Sequence, residues 1–249
     1  MVPVGSILES AGLLGSESET IAVDVETQAA LSTALISVFR GKFCDLILPQ
    51  RQPTTFAKDE VIYTVGDKQR TMVFLQRGFV KVGTITATGS ELIYDVRKGG
   101  DVIGELCASE KERSDRAVAL EATDAIVVPF DDIKSLLMTE PSLVAALIEV
   151  FCSALKQAYA QINTLAVDDT VHRLATILVS LAQRMGRRSG ALVEIPTYLT
   201  QEEIAQMVAA RRERVSTALN FLRRREMVQY SHRGNLLVHV ESLQGLFAR

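Results

Sequence analysis

Residues 198–240 constrain this chain more than any other stretch, because they dictate a short helix, a tight turn, a second helix and a hairpin in that order. Thr200-Gln201-Glu202-Glu203 has the spacing of a capping box, in which a Thr hydroxyl closes the helix start and the Glu three residues on reciprocates. A helix over Gln201–Val208 follows, with Ile204, Met207 and Val208 on one face. Ala209-Ala210 makes the turn. In the next helix, about Arg211–Arg225, Val215, Ala218, Leu219 and Leu222 recur at helical spacing and pack inward. That leaves Arg212, Glu213, Ser216, Thr217 and Asn220 on the outer face, toward the helix start. Met227–Ser231 and Leu236–Val240, joined by His232-Arg233-Gly234-Asn235, read as a hairpin. This is the order of a winged helix-turn-helix, whose second helix reads base edges near its N-terminus.

Charge is partitioned in the same sense. From Thr170 onward the chain carries 12 Lys+Arg against 6 Asp+Glu, whereas the preceding residues carry 15 against 24. An acidic body with a basic tail fits a nucleic-acid reader that draws affinity from phosphate neutralisation. The alternative is an amphipathic helical hairpin with a solvated charged face. It accounts for the periodicity but not for the neighbouring short helix, turn and wing.

At 249 residues with 47% hydrophobic content, two domains, each with its own core, are expected. No uninterrupted apolar run reaches the roughly 18–20 residues of a bilayer span, so no membrane partner is expected. The start, Met1–Leu14, lacks a basic region and leads into acidic Glu17–Glu26, unlike a secretory signal. Cys44, Cys107 and Cys152 form neither a disulfide framework nor a metal-binding spacing, and a reducing cytoplasm is the expected location.

Residues 1–28 read as a loose N-terminal extension, with a first helix over Thr27–Val38. From Phe56 to Pro129, short Val/Ile/Phe/Tyr runs alternate with glycine turns, the texture of a small antiparallel barrel or sandwich. A long helix is expected from Thr139–Pro141. Ile148, Phe151, Leu155, Ala158, Ile162 and Leu165 recur along it as a heptad seam running out at Val167-Asp168-Asp169. Either this helix packs only on its own barrel, or it pairs with a second copy and presents two reading heads to a twofold-symmetric site.

In this order the chain resembles the CRP/FNR superfamily of bacterial transcription regulators, over about residues 40–240. The motifs that carry the resemblance are Gly66-Asp67 with Phe74–Val82, then Gly100-Asp101-Val102-Ile103-Gly104-Glu105-Leu106. They continue with the hinge Leu165-Ala166 through Asp169 into His172-Arg173-Leu174-Ala175, and the ungapped Gln201–Leu222. The resemblance implies an α+β protein with an N-terminal antiparallel, jelly-roll-like β-roll as sensor (29–138). A dimerisation helix and hinge (139–168) and a C-terminal winged helix-turn-helix (169–249) follow. It also implies a homodimer, inverted-repeat double-stranded DNA, RNA polymerase as a partner, and a cytoplasmic, nucleoid-associated protein.

In the family's nucleotide-binding members a Glu accepts the ribose hydroxyl and an Arg-Ser pair holds the cyclic phosphate. Glu105, with Gly104 and Leu106 beside it, matches the first, and Arg113-Ser114 the second. The implied effector is a cyclic nucleotide, cyclic AMP or cyclic di-GMP. The chain departs from that pattern in a shorter Glu105–Arg113 loop, in Asp115 after Arg-Ser, and in Ala158-Tyr159 where the dimer helix meets the base. Arg113 paired with Glu110, Glu112 or Asp115 as a solvated cluster, and an effector-independent regulator, therefore remain open alternatives. So does a cyclic-nucleotide-gated interaction module that does not read DNA sequence.

All three histidines, His172, His232 and His239, lie beyond the dimer helix, so no haem ligand is expected in the sensor. The thiolates of an iron–sulfur cluster are missing. A switch through Cys107 or Cys152 competes with the reading that both are inert and buried. No phosphate loop or catalytic triad can be assembled, and no enzymatic activity is expected. On the second helix, Arg212 and Glu213 match the family's guanine and cytosine readers, and Thr217, preceded by Ser216, replaces its third. Arg211, Arg223, Arg224, Arg225 and the wing's Arg233 are assigned to phosphates.

Overall fold

Short β-branched runs broken by glycine build the first half of the molecule as two facing sheets. The computed structural model describes residues 51–246 except Thr88, Glu110, Val167, Asp168 and Arg233, so the expected extension, first helix and Cys44 lie outside the described residues. The strands are β1 (Thr54–Phe56), β2 (Val61–Tyr63), β3 (Thr71–Arg77), β4 (Phe79–Ile85), β5 (Glu91–Lys98), β6 (Val102–Ile103), β7 (Arg116–Ala119) and β8 (Thr123–Pro129). They form two four-stranded antiparallel sheets, ordered β1-β8-β3-β6 and β2-β7-β4-β5. In β3 every residue from Met72 to Leu75 is buried, because both of its faces are covered. Val73 and Leu75 meet Phe56, Tyr63 and Val80 inside the roll, while Met72 and Phe74 pack outward against Ile133, Leu143 and Leu147. The turn into β4 needs Gly78: its φ is 93°, and a Cβ there would stand 2.8 Å from the Thr123 backbone.

Two helices stand where one was expected to begin. α1 (Phe130–Thr139) ends at Glu140, and Pro141 caps α2 (Ser142–Leu165). Proline in the first turn loses no helical hydrogen bond, but it prevents one continuous rod. The heptad assignment needs one correction. Phe151 packs with Val150, Leu143 and Leu147 onto the chain's own β-roll. Ile148, Leu155 and Ile162 point outward, joined by Tyr159, and all four are at least half exposed (54%, 50%, 60% and 57%). Ala158 shares that exposed face, and Leu165 is half-buried. α2 is also long and apolar enough, by length and composition, to cross a membrane, which the interrupted run in the sequence conceals.

The third region starts at α3 (Thr170–Met185), whose N-cap Asp169 accepts the Val171 amide at 3.0 Å. That backbone hydrogen bond, helped by His172, holds the Asp169 carboxyl below its usual range. A hairpin not foreseen in the sequence follows, β9 (Arg187–Ser189) and β10 (Leu192–Glu194). Then come α4 (Gln201–Val208), α5 (Arg212–Arg224), β11 (Val228–Tyr230), β12 (Leu236–Val238) and α6 (Val240–Gln244). The wing is thus half of a four-stranded sheet, β11-β12-β10-β9. The roll keeps two apolar clusters of its own, but a third crosses into the C-terminal region. Phe79, Ile93, Val96 and Leu120 of the β-roll belong to one cluster with the residues of α3, α4 and α5.

Candidate nucleic-acid interface and effector pocket

The capping box forms as the sequence requires: Thr200 Oγ1 accepts the Glu203 amide at 3.1 Å, and Glu203 Oε2 accepts the Thr200 amide at 2.9 Å. α4 ends on Ala209 in the left-handed region (φ 51°, ψ 49°), which turns the chain into α5. Val215, Ala218, Leu219 and Leu222 are buried, so α5 can present only its opposite face. There Arg212, Glu213 and Thr217 are exposed and Ser216 is half-buried. The Thr217 hydroxyl donates back to the Glu213 carbonyl at 3.0 Å, so that side chain retains only acceptor capacity for a base. Arg211 is exposed at the N-cap.

The arginine run at the far end of α5 is more ordered than a solvated cluster. Arg223 lies over the Tyr230 ring at 5.3 Å, which ties helix to wing, and Arg225 lies over Phe221 at 4.3 Å. Arg224 is exposed between them. Asn220, Arg223, Arg224, Val228, Gln229 and Tyr230 line a shallow cavity along this edge. Arg233 lies outside the described residues. Tyr230 escaped the sequence reading, although an aromatic ring on a wing strand opposite a helix-terminal arginine is a usable signal.

The β-roll residues that the resemblance assigns to an effector are organised differently. Gly104 has a φ of 81°, and a Cβ there would stand 2.6 Å from Arg113 Nη1 and 2.9 Å from the Thr71 carbonyl, so the motif glycine is required. The next residues, Glu105–Ala108, form a single 3-10 turn that leaves Leu106 exposed. Arg113 is not a solvated surface group: it is 4% exposed. Its Nη1 donates to the Gly104 carbonyl at 3.0 Å, its Nη2 to the Thr71 carbonyl and to Thr71 Oγ1 at 3.0 Å, and its guanidinium covers the Tyr63 ring at 3.9 Å. Glu112 pairs instead with Lys68 on the surface at 3.9 Å.

Asp115, also 4% exposed, accepts the Tyr63 hydroxyl at 2.9 Å, whereas Ser114, between the two buried residues, is exposed. Burial raises the Tyr63 hydroxyl well above its ordinary value, and the Asp115 charge adds to this. Burial likewise pushes the Glu105 carboxyl up, against the lowering effect of Arg97. The structure thus gathers half-buried Glu105 and buried Arg113 around Tyr63. Tyr159 stays on the exposed face of α2.

Glu105 continues into a chain of charges that the sequence reading missed. Arg97 on β5 pairs with Glu105 at 3.8 Å and with Asp95 at 3.0 Å. Asp95 is forked by Arg184 of α3, with one arm at 2.8 Å, and the Arg184 carbonyl accepts from Lys98 at 2.6 Å. A second tie runs from Lys81 of β4 to Glu203 at 3.3 Å, and Gln161 of α2 donates to the Met207 carbonyl at 3.2 Å. Among the described residues no three His, Cys, Asp or Glu side chains gather as a metal set. Cys107 is buried and its thiol is pushed up by that burial, while Cys152, expected to be buried, is exposed on α2.

A roll with a glycine-framed Glu105 and Arg113, followed by a helix-turn-helix with an exposed basic face, has the architecture of a transcription regulator. Residues 53–140 match the cyclic nucleotide-binding domain, and residues 172–248 match the Crp-like helix-turn-helix domain. The CRP-like cAMP-activated global transcriptional regulator of Mycobacterium tuberculosis is 28% identical over 186 residues, 74% of this chain and 80% of the relative. The global nitrogen regulator of a Nostoc species is 27% identical over 83% of this chain and 92% of its own length. The fold is shared with FixK2 from Bradyrhizobium japonicum, with a TM-score of 0.70 at 19% identity over 79% of this chain and 96% of that one. It is shared too with the CLP regulator of Xanthomonas campestris, with a TM-score of 0.68 at 14% identity over 80% and 99%. The chain belongs to the CRP/FNR superfamily and is a DNA-binding transcription regulator of that type.

Proposed function

We propose that the protein acts as a homodimer joined along α2, setting two α5 helices on an inverted-repeat promoter site with half-sites of TGT…ACA type. The observation that carries this is the outward stripe of Ile148, Leu155, Tyr159 and Ile162. A second copy covers it without disturbing Phe151, Leu143 and Leu147, which are committed to the roll. On each half-site Arg212 forks onto a guanine and Glu213 accepts from a cytosine amino group, with Ser216 and Thr217 beside them. Arg211, Arg223, Arg224, Arg225 and Arg233 meet phosphates, which position the helix without carrying sequence information. In this reading the protein works in the cytoplasm, on the nucleoid, with RNA polymerase as its further partner, and it catalyses no reaction. The test is retardation of a palindromic duplex against a scrambled one across a salt series, with mass by sedimentation. A dimer preferring the palindrome at every salt concentration supports the reading. Equal affinities falling together with salt refute it.

We further propose that a small effector enters beside Glu105, and that a cyclic nucleotide is the class to test first, since the mycobacterial relative is described as cAMP-activated. Glu105 accepts a ribose hydroxyl readily. Arg113 has a buried Nε without a hydrogen-bond partner, but its Nη groups are held by Thr71 and Gly104, so a two-armed fork onto a cyclic phosphate requires rearrangement at that arginine. Calorimetry with cyclic AMP, cyclic GMP and cyclic di-GMP decides. Binding that weakens at least about tenfold in Arg113→Ala fits loss of a charge-assisted phosphate contact. No heat with any of them identifies an effector-independent regulator.

A further inference from the structure

The charges that run from the pocket into the DNA-binding region have a feature that fixes the direction of their influence. Asp95 is shared. Its Oδ2 faces Arg97 Nε at 3.0 Å and accepts from Arg184 Nη1 at 2.8 Å. Arg97 is shared as well, between Asp95 and Glu105. All four side chains are largely withdrawn from solvent, where charges are weakly screened and each pairing is felt by the next. Arg184 sits in the last turn of α3, and its own carbonyl is held by Lys98. At this point the core of the DNA-binding region is continuous with Phe79, Ile93 and Val96 of the roll.

We propose that Glu105–Arg97–Asp95–Arg184 is the coupling element between the effector pocket and the DNA-binding region, working by competition for Asp95. When Glu105 is engaged by another partner, such as an effector hydroxyl, Arg97 is left to Asp95 alone. Arg184 then loses part of its claim on that carboxylate, and α3 is held less tightly against β5. Loss of Arg97 acts in the opposite sense, because Arg184 keeps Asp95 to itself. The proposal rests on the effector reading above only for what engages Glu105. The competition itself is a property of the four side chains.

Hydrogen exchange of the amides across Thr170–Met185 in the full-length protein, with neither DNA nor nucleotide added, tests it. Glu105→Gln is expected to speed exchange there by about fivefold or more, at the lower end of ordinary coupling between sites. Arg97→Gln is expected to slow it. In the double variant the Glu105→Gln effect should disappear, since its messenger is gone. Opposite shifts that vanish in combination support the ladder. Shifts of the same sign, independent shifts, or no change at α3 overturn it. If Arg97→Gln does not fold, Arg97→Met, which keeps the stem and removes the charge, replaces it with the same expected signs. Because no nucleotide is used, failure here leaves the effector reading standing, and failure of every nucleotide to bind leaves the ladder standing.

Discussion

Helix α5 and the Glu105–Asp115 segment of the β-roll hold the same chemistry, arginine beside carboxylate, in opposite surroundings. Arg212 and Glu213 stand exposed on one helix face, with the outward side of α5 left to an external partner. Arg113 and Asp115 are buried, and both Nη groups of the arginine are held by Thr71 and Gly104. An exposed guanidinium is cheap to redirect, because water replaces whatever it leaves. A buried one must exchange partners, since an unpaired charge in the interior is strongly unfavourable. The first region is therefore suited to bind by docking and the second by rearrangement.

The largest effect expected from this contrast concerns the surface proposed to join two reading heads into one reader. Leu155→Asp with Ile162→Asp would place carboxylates in the seam, where each buried ion costs several kcal/mol. The variant should sediment as a monomer and lose about 100-fold or more on palindromic DNA, as the second head's effective concentration is lost. A variant that stayed dimeric would mean that the outward stripe of α2 is not the interface. Next in size is a contrast within α5. Arg212→Ala should cost about 1–3 kcal/mol on a cognate site and relax discrimination at one base pair. Arg224→Ala should weaken all duplexes alike and reduce the salt slope by about one. Competition with every single-base variant of one half-site separates the two, and an unchanged base preference in Arg212→Ala would mean a different docking of the helix.

A third prediction concerns the pocket alone. The Glu105 carboxyl is raised by burial, so between its ordinary and its folded values the native state holds more protons than the unfolded chain. Stability contributed by the protonated form is full below that window and falls as pH rises through it. Glu105→Gln should remove this component and flatten the pH dependence of thermal unfolding there. Asp169, lowered by its hydrogen bond to Val171, should behave oppositely, losing its contribution as pH falls through its folded value. If Glu105→Gln leaves the pH profile unchanged, the buried-carboxylate account of the pocket fails.

Legibility in the sequence divides along the same line. The capping box, both helices of the reading head and most strands of the roll are local patterns. The hydrophobic periodicity that fixes α5 also fixes which of its residues face outward. The family motif located Glu105 and Arg113 but not their partners. Tyr63, Thr71, Arg97 and Arg184 come from β2, β3, β5 and α3, and no spacing rule connects them. Phe151 was misplaced for a related reason. The α2 pattern has two apolar faces, one for its own roll and one outward, and a single heptad drawn through both mixes them. The shared core of roll and head was likewise invisible, because Ile93 and Val96 look like ordinary interior strand residues.

The smallest effect expected lies at the turn between α4 and α5, where the reading region carries strain of its own. Ala209 adopts φ 51° and ψ 49°, a conformation that costs an L-residue about 1–2 kcal/mol. The Ala210 amide still bonds the Ala205 carbonyl at 3.1 Å, so the geometry belongs to the helix ending and is not a loop free to relax. Glycine escapes the Cβ penalty but adds freedom to the unfolded chain, which offsets about 0.5–1 kcal/mol of the gain. Ala209→Gly should therefore stabilise the protein by up to about 1 kcal/mol, a rise of roughly 2–4 °C in Tm for a chain of this size. Ala209→Val should lower it, since a β-branched side chain fits the left-handed region worse than alanine. Base preference should be untouched in Ala209→Gly, because α5 keeps its entry geometry. A glycine variant that melts lower than the parent would show that the packing of the Ala209 methyl outweighs the strain of its backbone.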